Sequence, residues 1–281
     1  MLQQFLMHPE LPPSKGRIIQ LCAGFIVSNN FLKCQIKMLC YTNTVTRENK
    51  PLSILFIGNS FSYYNNLPGL VARFARASNT RLVIGSVLRG GATLKMLWDD
   101  GEAPRKLLGK TWDYVVLQER GRLGGVIRDG IVHVSKPQVF IAYATRFDKA
   151  AKKIGAKTIL YCPPAFLGVA RPDDTKKLHA AHKALARKLR APMIPAGAAF
   201  MLARRERPSM NLYAPDKHHP NPLGTYLVAS LFYKSLFKKR VSGLPLISYF
   251  SKSRKLPKNP KLVKISASDA RFLWSVANRT V

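Results

Sequence analysis

Two short segments of the sequence contain the residue types of an acyl-transfer site. Residues 58–62 read G-N-S-F-S, and a serine at such a turn can present its hydroxyl as a nucleophile. Residues 216–221 read D-K-H-H-P-N. A hydroxyl nucleophile needs an imidazole to take its proton, and the imidazole needs a carboxylate to fix its tautomer. Ser60, His219 and Asp216 could together supply this chemistry.

Each segment taken alone also fits a structural interpretation. Ser60 could simply cap the helix that follows it, and a loop histidine is usually solvated. His218 is a second candidate for the base. The D-x-x-H spacing and the proline that follows favour His219, with His218 as a neighbour that lines the cleft.

The elements that must position these segments follow from hydrophobic periodicity. An apolar run at 52–57 predicts a strand, and Leu67 begins a series of apolar residues at the spacing of a helix. The alternation continues with strands at 81–87, 113–117, 157–161 and 193–195, and with helices at 93–98, 137–154, 173–190 and 222–237. This order predicts an α/β fold in which a mostly parallel sheet lies between two helical layers. Functional residues of such sheets collect in loops at the carboxyl ends of the strands.

With these elements in place, the two segments resemble the first and last blocks of the SGNH (GDSL-type) hydrolase superfamily. The similarity spans roughly residues 52–237, and the order serine, aspartate, histidine agrees. The resemblance implies a three-layer α/β/α fold with a flavodoxin-like sheet. It also implies that Ser60 is the nucleophile, that His219 is the general base and then the acid, and that Asp216 orients His219.

The middle blocks of the superfamily match less closely. Gly91, in G-G-A-T after the second strand, resembles the glycine whose N–H contributes to the oxyanion hole. The third block, G-x-N-D, is absent, and the third strand ends in V-V-L-Q-E. The resemblance to a divergent branch implies that the Gln118 amide replaces the asparagine donor, so that the predicted oxyanion hole consists of Ser60, Gly91 and Gln118. Glu119 could instead form a buried or rim ion pair, and Asn59 in place of the usual aspartate is not expected to inactivate the site.

Other candidate groups predict no metal site or cofactor. His179 and His182 lie three apart on a predicted helix, but no third ligand accompanies them, so a solvated helix face explains them better. The four cysteines have no metal-binding spacing and do not suggest a disulfide framework. Cys162 is expected to be a packed thiol.

The net charge of +32 bears on partners rather than on fold. We predict an N-terminal extension at 1–50, a hydrolase domain at 51–240 and a basic C-terminal extension at 241–281. The C-terminal extension could contact a polyanion, and the positive charge of the domain could favour an anionic substrate. No apolar run is long enough to span a bilayer. A short apolar run at 18–27 could belong to an export signal, but it lacks a convincing cleavage site, which favours a cytoplasmic location.

The sequence therefore predicts a serine esterase, with O-acyl or O-acetyl groups on a carbohydrate among its candidate substrates. Acyl transfer is an alternative. The other alternative is an inactive SGNH-like domain that binds nucleic acid or an acidic glycan through its basic surface. No recognition motif for nucleic acid accompanies the basic residues.

Overall fold

A parallel sheet of five strands lies at the centre of the structure, a computed structural model that describes residues 50–123, 126–128, 131–133, 137–165, 172–251, 253 and 255–281. The strands are β1 (Leu52–Gly58), β2 (Leu82–Leu88), β3 (Tyr114–Gln118), β6 (Lys157–Cys162) and β7 (Met193–Pro195). Their order across the sheet is β2, β1, β3, β6, β7. Ile57 of β1 lies opposite Val87 of β2 and Leu117 of β3, so the carboxyl ends of these three strands meet at one edge.

Nine helices accompany the sheet in the described part of the chain. They are α1 (Ser60–Tyr63), α2 (Leu67–Ala75), α3 (Leu94–Asp99), α4 (Glu102–Leu108), α5 (Pro137–Lys153), α6 (Pro172–Leu189), α7 (Ala196–Glu206), α8 (Pro222–Phe237) and α9 (Ala267–Thr280). Two short antiparallel hairpins, β4 (Val126–Arg128) with β5 (Ile131–His133) and β8 (Ile247–Phe250) with β9 (Lys261–Lys264), lie outside the main sheet.

The two hydrophobic cores correspond to the two faces of the sheet. Alternate residues of a strand point to opposite faces, and in β1 Ile54 and Phe56 join one core while Leu55 and Ile57 join the other. The first core is completed by buried residues of α2, α7, α8 and α9, and the second by buried residues of α3, α4, α5 and α6. This arrangement confirms the predicted three-layer α/β/α fold.

Some elements were not predicted from the sequence. α4 contains Pro104 in its first turn, where the missing N–H has no intrahelical partner to lose. α7 begins directly after β7 and buries Ala199, Phe200 and Ala203 against the first core. The two hairpins and α9 were also missed.

The segment after residue 240 corrects the predicted domain boundary. α9 buries Ala270, Leu273 and Val276 in the first core, next to α8. The Trp274 Nε1–H donates to the Tyr226 hydroxyl at 3.0 Å, and the Ser248 hydroxyl donates to the Pro222 carbonyl at 2.7 Å. Residues 241–281 therefore contribute to the core rather than extend from it.

The predictions for the first 49 residues, including the N-terminal extension and the apolar run at 18–27, lie outside the described residues. Within the described residues, every helix is too short or too polar to cross a lipid bilayer.

Candidate active site

The loop that contains Ser60 leaves the sheet at Gly58 and turns at once into α1. A Cβ at position 58 would lie 2.7 Å from Gln118 Oε1, so only glycine permits β3 to place that side chain here. Asn59 caps α1, because its Oδ1 accepts from the Phe61 N–H at 3.2 Å and its Nδ2 donates to the Ala92 carbonyl at 2.9 Å. Ser60 is thereby held at the first position of α1, with 8% of its surface exposed.

Gln118, at the end of the neighbouring strand β3, is fully buried and holds this loop by hydrogen bonds. Its Oε1 accepts from the Asn59 N–H at 2.9 Å and from the Ser62 hydroxyl at 3.1 Å. Its Nε2 donates to Asn59 Oδ1 at 2.9 Å and to the Glu119 carbonyl at 2.6 Å. A backbone N–H can only donate and a carbonyl can only accept, so these partners set the orientation of the amide.

The predicted role of Gln118 as an oxyanion donor is corrected by this arrangement. Both hydrogens of its amide are already donated within the loop. Gln118 therefore positions the segment that carries Ser60 and has no hydrogen left to donate into the cleft.

His219 and Asp216 form a hydrogen-bonded pair in the loop before α8. His219 Nδ1 lies 2.7 Å from Asp216 Oδ2, and Asp216 Oδ1 accepts from the N–H groups of His218 and His219 at 2.9 Å each. Partial burial acts to raise the pKa of Asp216, but the hydrogen bonds from His219 and His218 outweigh it and hold the pKa below its usual value. The ionised carboxylate therefore accepts the Nδ1 hydrogen, and in the neutral imidazole this tautomer makes Nε2 the acceptor.

The Nε2 atom of His219 is buried and has no hydrogen-bond partner among the described residues. The Tyr64 ring stacks on the His219 imidazole with the ring centroids 4.1 Å apart and the planes 6° apart. The His218 ring also stacks on the His219 imidazole, with the centroids 4.2 Å apart. Phe61 packs against His219 with ring centroids 5.6 Å apart. Residues of α1 and of the turn that follows it thus pack directly on the histidine loop, so this loop lies against the segment that carries Ser60.

His218 lines a cleft of 230 Å³ together with Ser60 and Gly91. Burial, the neighbouring His219 and the cationic Arg122 and Arg120 lower the pKa of His218 to about 3, although Asp216 opposes them. His218 contacts Asp216 through its backbone N–H, whereas His219 contacts it through the ring. Of the two histidines, His219 therefore has the geometry of a base that a carboxylate orients.

Gly91 forms another wall of this cleft. Its φ of +64° lies in the left-handed region that favours glycine, and a Cβ there would lie 3.2 Å from Arg120 Nη2. Ala92, which follows it, accepts the hydrogen bond from Asn59 and so ties this loop to the one that carries Ser60.

Glu119 joins the Gly91 loop to the loop after β3. The side chain is buried, its Oε2 accepts from the Leu94 N–H at 3.0 Å and its Oε1 accepts from the Arg120 N–H at 2.7 Å. Burial raises the pKa of Glu119 to about 6, against the opposing effect of these two hydrogen bonds. Both carboxylate oxygens thus accept backbone hydrogens and give Glu119 a structural role between two walls of the cleft.

Sequence reasoning did not identify Arg120 and Arg122, which also line the cleft. Their position directly after β3, at the carboxyl edge of the sheet, was the available signal.

The remaining candidates lie away from the cleft. His182 is fully buried, and its Nδ1–H donates to the Leu178 carbonyl at 2.9 Å, so the expectation of a solvated face is wrong for this residue. His179 is half-buried beside α7. Burial raises the pKa of the Cys162 thiol, which agrees with its prediction as a packed residue. No group of three metal-ligating side chains is found within the described ranges.

The architecture around this cleft matches solved structures. A protein described as an SGNH hydrolase, from Slackia heliotrinireducens, aligns with a TM-score of 0.55 over 66% of this chain and 100% of its own, at 22% identity. The chain has the SGNH hydrolase fold. A lipase/acylhydrolase from Enterococcus faecalis shares this SGNH fold at 16% identity and a TM-score of 0.52, covering 66% of this chain and 95% of its own.

An acetyl-xylooligosaccharide esterase from Geobacillus also shares the SGNH fold, at 15% identity and a TM-score of 0.53, over 68% of this chain and 97% of its own. No protein-family model matches the sequence, and no curated protein matches it. The predicted SGNH fold is therefore confirmed from three-dimensional structure.

Proposed function

We propose that the protein is a serine esterase in which Ser60, His219 and Asp216 form the catalytic triad. The observation that carries the proposal is the state of His219. Its Nδ1–H is donated to an ionised aspartate, and its Nε2 lone pair is buried without a partner beside the segment that carries Ser60. Hydrogen bonds of catalytic groups often tighten only when substrate binds, so the unpartnered Nε2 is compatible with a base that awaits its proton.

The reaction follows from these roles. His219 Nε2 takes the proton of the Ser60 hydroxyl while Oγ forms a bond to the ester carbonyl carbon. The imidazolium then gives this proton to the departing alkoxide as the carbon–oxygen bond breaks, which releases the alcohol and leaves an acyl-serine. A water molecule repeats the sequence: Nε2 takes its proton, its oxygen attacks the acyl carbon, and Ser60 recovers the proton as the carboxylic acid leaves.

Two backbone N–H groups are the proposed oxyanion donors. At the start of α1, Asn59 accepts from the N–H groups of Phe61, Ser62 and Tyr63, and the Ser60 N–H takes part in none of these bonds. The N–H of Gly91 is the second proposed donor, because Gly91 lines the same cleft. An oxyanion donor typically contributes about 3 kcal/mol to transition-state stabilisation. Gln118 supports this hole by holding Asn59 in place.

The proposed substrates are short acyl esters, with O-acetyl groups on a carbohydrate as the leading class. The cleft of 230 Å³ suits a small acyl group. The solved structures that share the fold include the acetyl-xylooligosaccharide esterase from Geobacillus.

Hydrolysis of p-nitrophenyl acetate by the wild type and by Ser60→Ala tests the proposal. We expect Ser60→Ala to lower kcat by about a thousandfold or more, because the nucleophile is lost. Ser268→Ala, an exposed position at the start of α9, is the matched control and should retain the wild-type rate. A fluorophosphonate probe should label the wild type and the control but not Ser60→Ala. Equal hydrolysis by all three proteins, with no labelling, would exclude Ser60 as the nucleophile.

A further inference from the structure

We propose that the substrate carries an anionic group, a carboxylate, sulfate or phosphate, which Arg120 and Arg122 bind beside the reacting ester. This inference rests on the proposed function and narrows its substrate class. Both arginines line the cleft that contains Ser60, on the wall formed by the loop after β3. Arg120 approaches Gly91 closely, so its guanidinium lies next to the proposed oxyanion donor.

The loop that carries the two arginines begins at the buried Glu119 and forms a turn at residues 120–123. Glu119 accepts the Arg120 N–H, and the Leu123 N–H donates to the Arg120 carbonyl at 3.1 Å. Glu119, Gly121 and Leu123 are buried, whereas the alternating positions 120 and 122 are partly exposed. The turn and the alternation leave both arginine side chains partly exposed at the cleft.

The charge in the cleft is not neutralised by the residues that line it. None of the described lining residues is acidic. Neither arginine forms an ion pair with a carboxylate in the described part of the chain, whereas Arg89, Arg207 and Arg279 pair with Asp100, Asp269 and Glu206. The charge of Arg120 acts to lower the pKa of the nearby Glu119, but both oxygens of Glu119 already accept backbone hydrogens.

The positive charges of the two guanidinium groups repel each other. Burial and then the charge of Arg120 lower the pKa of Arg122. A bound anion would relieve this repulsion, and the planar guanidinium fork matches the geometry of a carboxylate, a sulfate or a phosphate. The arginines would therefore select an anion that lies next to the acyl carbon.

Matched pairs of esters test the inference and show whether the anionic group belongs to the acyl part or to the alcohol part of the substrate. Mono-p-nitrophenyl succinate and p-nitrophenyl butyrate compare an anionic with a neutral acyl group. 4-Acetoxybenzoate and 4-acetoxybenzamide compare an anionic with a neutral alcohol part. We expect kcat/KM to favour the anionic member of at least one pair by about tenfold or more, which is typical of a hydrogen bond to a charged group.

Arg120→Met and Arg122→Met should each lower this anionic-to-neutral ratio by about tenfold or more, and added salt should lower it in the wild type. Arg81→Met is the control, because Arg81 is exposed at the start of β2, at the opposite edge of the sheet. This variant removes the same charge and should keep the wild-type ratio. If the wild type hydrolyses both members of each pair equally and the variants leave the ratio unchanged, the inference fails while the proposed esterase stands.

A binding experiment covers the case in which no ester is hydrolysed. Inorganic phosphate and succinate are titrated into Ser60→Ala, and the imidazole signals of His218 are followed by NMR, since His218 lines the same cleft. Saturable shifts that are lost in the additional Arg122→Met substitution support the anion site independently of catalysis. Shifts that are absent, or that persist unchanged in that variant, would overturn it.

Discussion

His219 and His182 share two local features but lie in opposite surroundings. Each uses Nδ1 in a hydrogen bond and each has a buried Nε2 without a partner among the described residues. The Nδ1–H of His219 donates to the carboxylate of Asp216 in a loop at the carboxyl edge of the sheet. The Nδ1–H of His182 donates to the Leu178 carbonyl of its own helix, and the His182 ring packs against Phe140.

The difference shows that an unpartnered nitrogen alone does not identify a catalytic base. A backbone carbonyl fixes the tautomer of an imidazole, but it does not stabilise the imidazolium as an ionised carboxylate does. Burial, with a smaller effect of His179, lowers the pKa of His182 to about 4, so that this residue stays neutral where His219 is proposed to accept a proton. The carboxylate partner and the packing against the segment that carries Ser60, the proposed nucleophile, distinguish His219 from His182.

Replacing each histidine gives the largest expected contrast. His219→Ala should lower kcat for p-nitrophenyl acetate by about ten-thousandfold, because the proton acceptor is lost. His182→Leu should retain kcat within about twofold, since α6 places it outside the cleft. Circular dichroism should show that both variants are folded. A similar loss of kcat in both variants would remove the distinction between the two histidines.

Removing the charge of the carboxylate while keeping its shape tests the partner of His219. Asp216→Asn should lower kcat by about a thousandfold, because the amide no longer fixes the tautomer or stabilises the imidazolium. Asp148→Asn is the matched control, a buried aspartate of α5 that pairs with Lys152. The control should keep its turnover. Undiminished kcat of Asp216→Asn at neutral pH would contradict the triad assignment.

The smallest expected effect concerns stability and belongs to His182. Its pKa is about 4 in the folded protein and 6.5 as a free side chain, so the unfolded chain binds a proton between these values while the folded chain does not. Folding stability should therefore decrease as the pH falls from 6.5 to 4, by up to about 3 kcal/mol.

Urea unfolding of the wild type and His182→Leu across this pH range measures the effect. Glu119 and His218 also have shifted pKa values, so the quantity to follow is the difference between the two proteins, in which the other groups cancel. This difference should change in favour of the variant as the pH falls. A difference that stays constant would show that His182 does not titrate in this way.

Most of the central fold was predictable because its signals are local. The apolar run at 52–57 and the alternation of short strands with amphipathic helices depend on residues close in the sequence. α9 also carried a local signal, since Ser266 caps it and Ala270, Leu273 and Val276 repeat at helical spacing. The dense positive charge before α9 led to its prediction as part of an extension, and the sequence could not show that α8 offers it an apolar surface.

The site was predictable in its residue types and only partly in its roles. Gly58 and Gln118 show why. The need for glycine comes from the Gln118 side chain, which a neighbouring strand places 2.7 Å from the position of a Cβ. Both amide hydrogens of Gln118 are donated to Asn59 Oδ1 and to the Glu119 carbonyl, whereas the resemblance had implied that the amide is available for an oxyanion.

Periodicity and short motifs were sufficient to predict the α/β/α layers and the candidate serine, aspartate and histidine, because both are properties of neighbouring residues. Three properties of the site were not predictable in this way: Gln118 donates both amide hydrogens within the Ser60 loop, Glu119 joins two walls of the cleft, and Arg120 and Arg122 line it. These properties depend on hydrogen bonds and close contacts between residues that are distant in the chain. They are set by the order of the strands across the sheet, which brings the loops after β1, β2 and β3 to one edge.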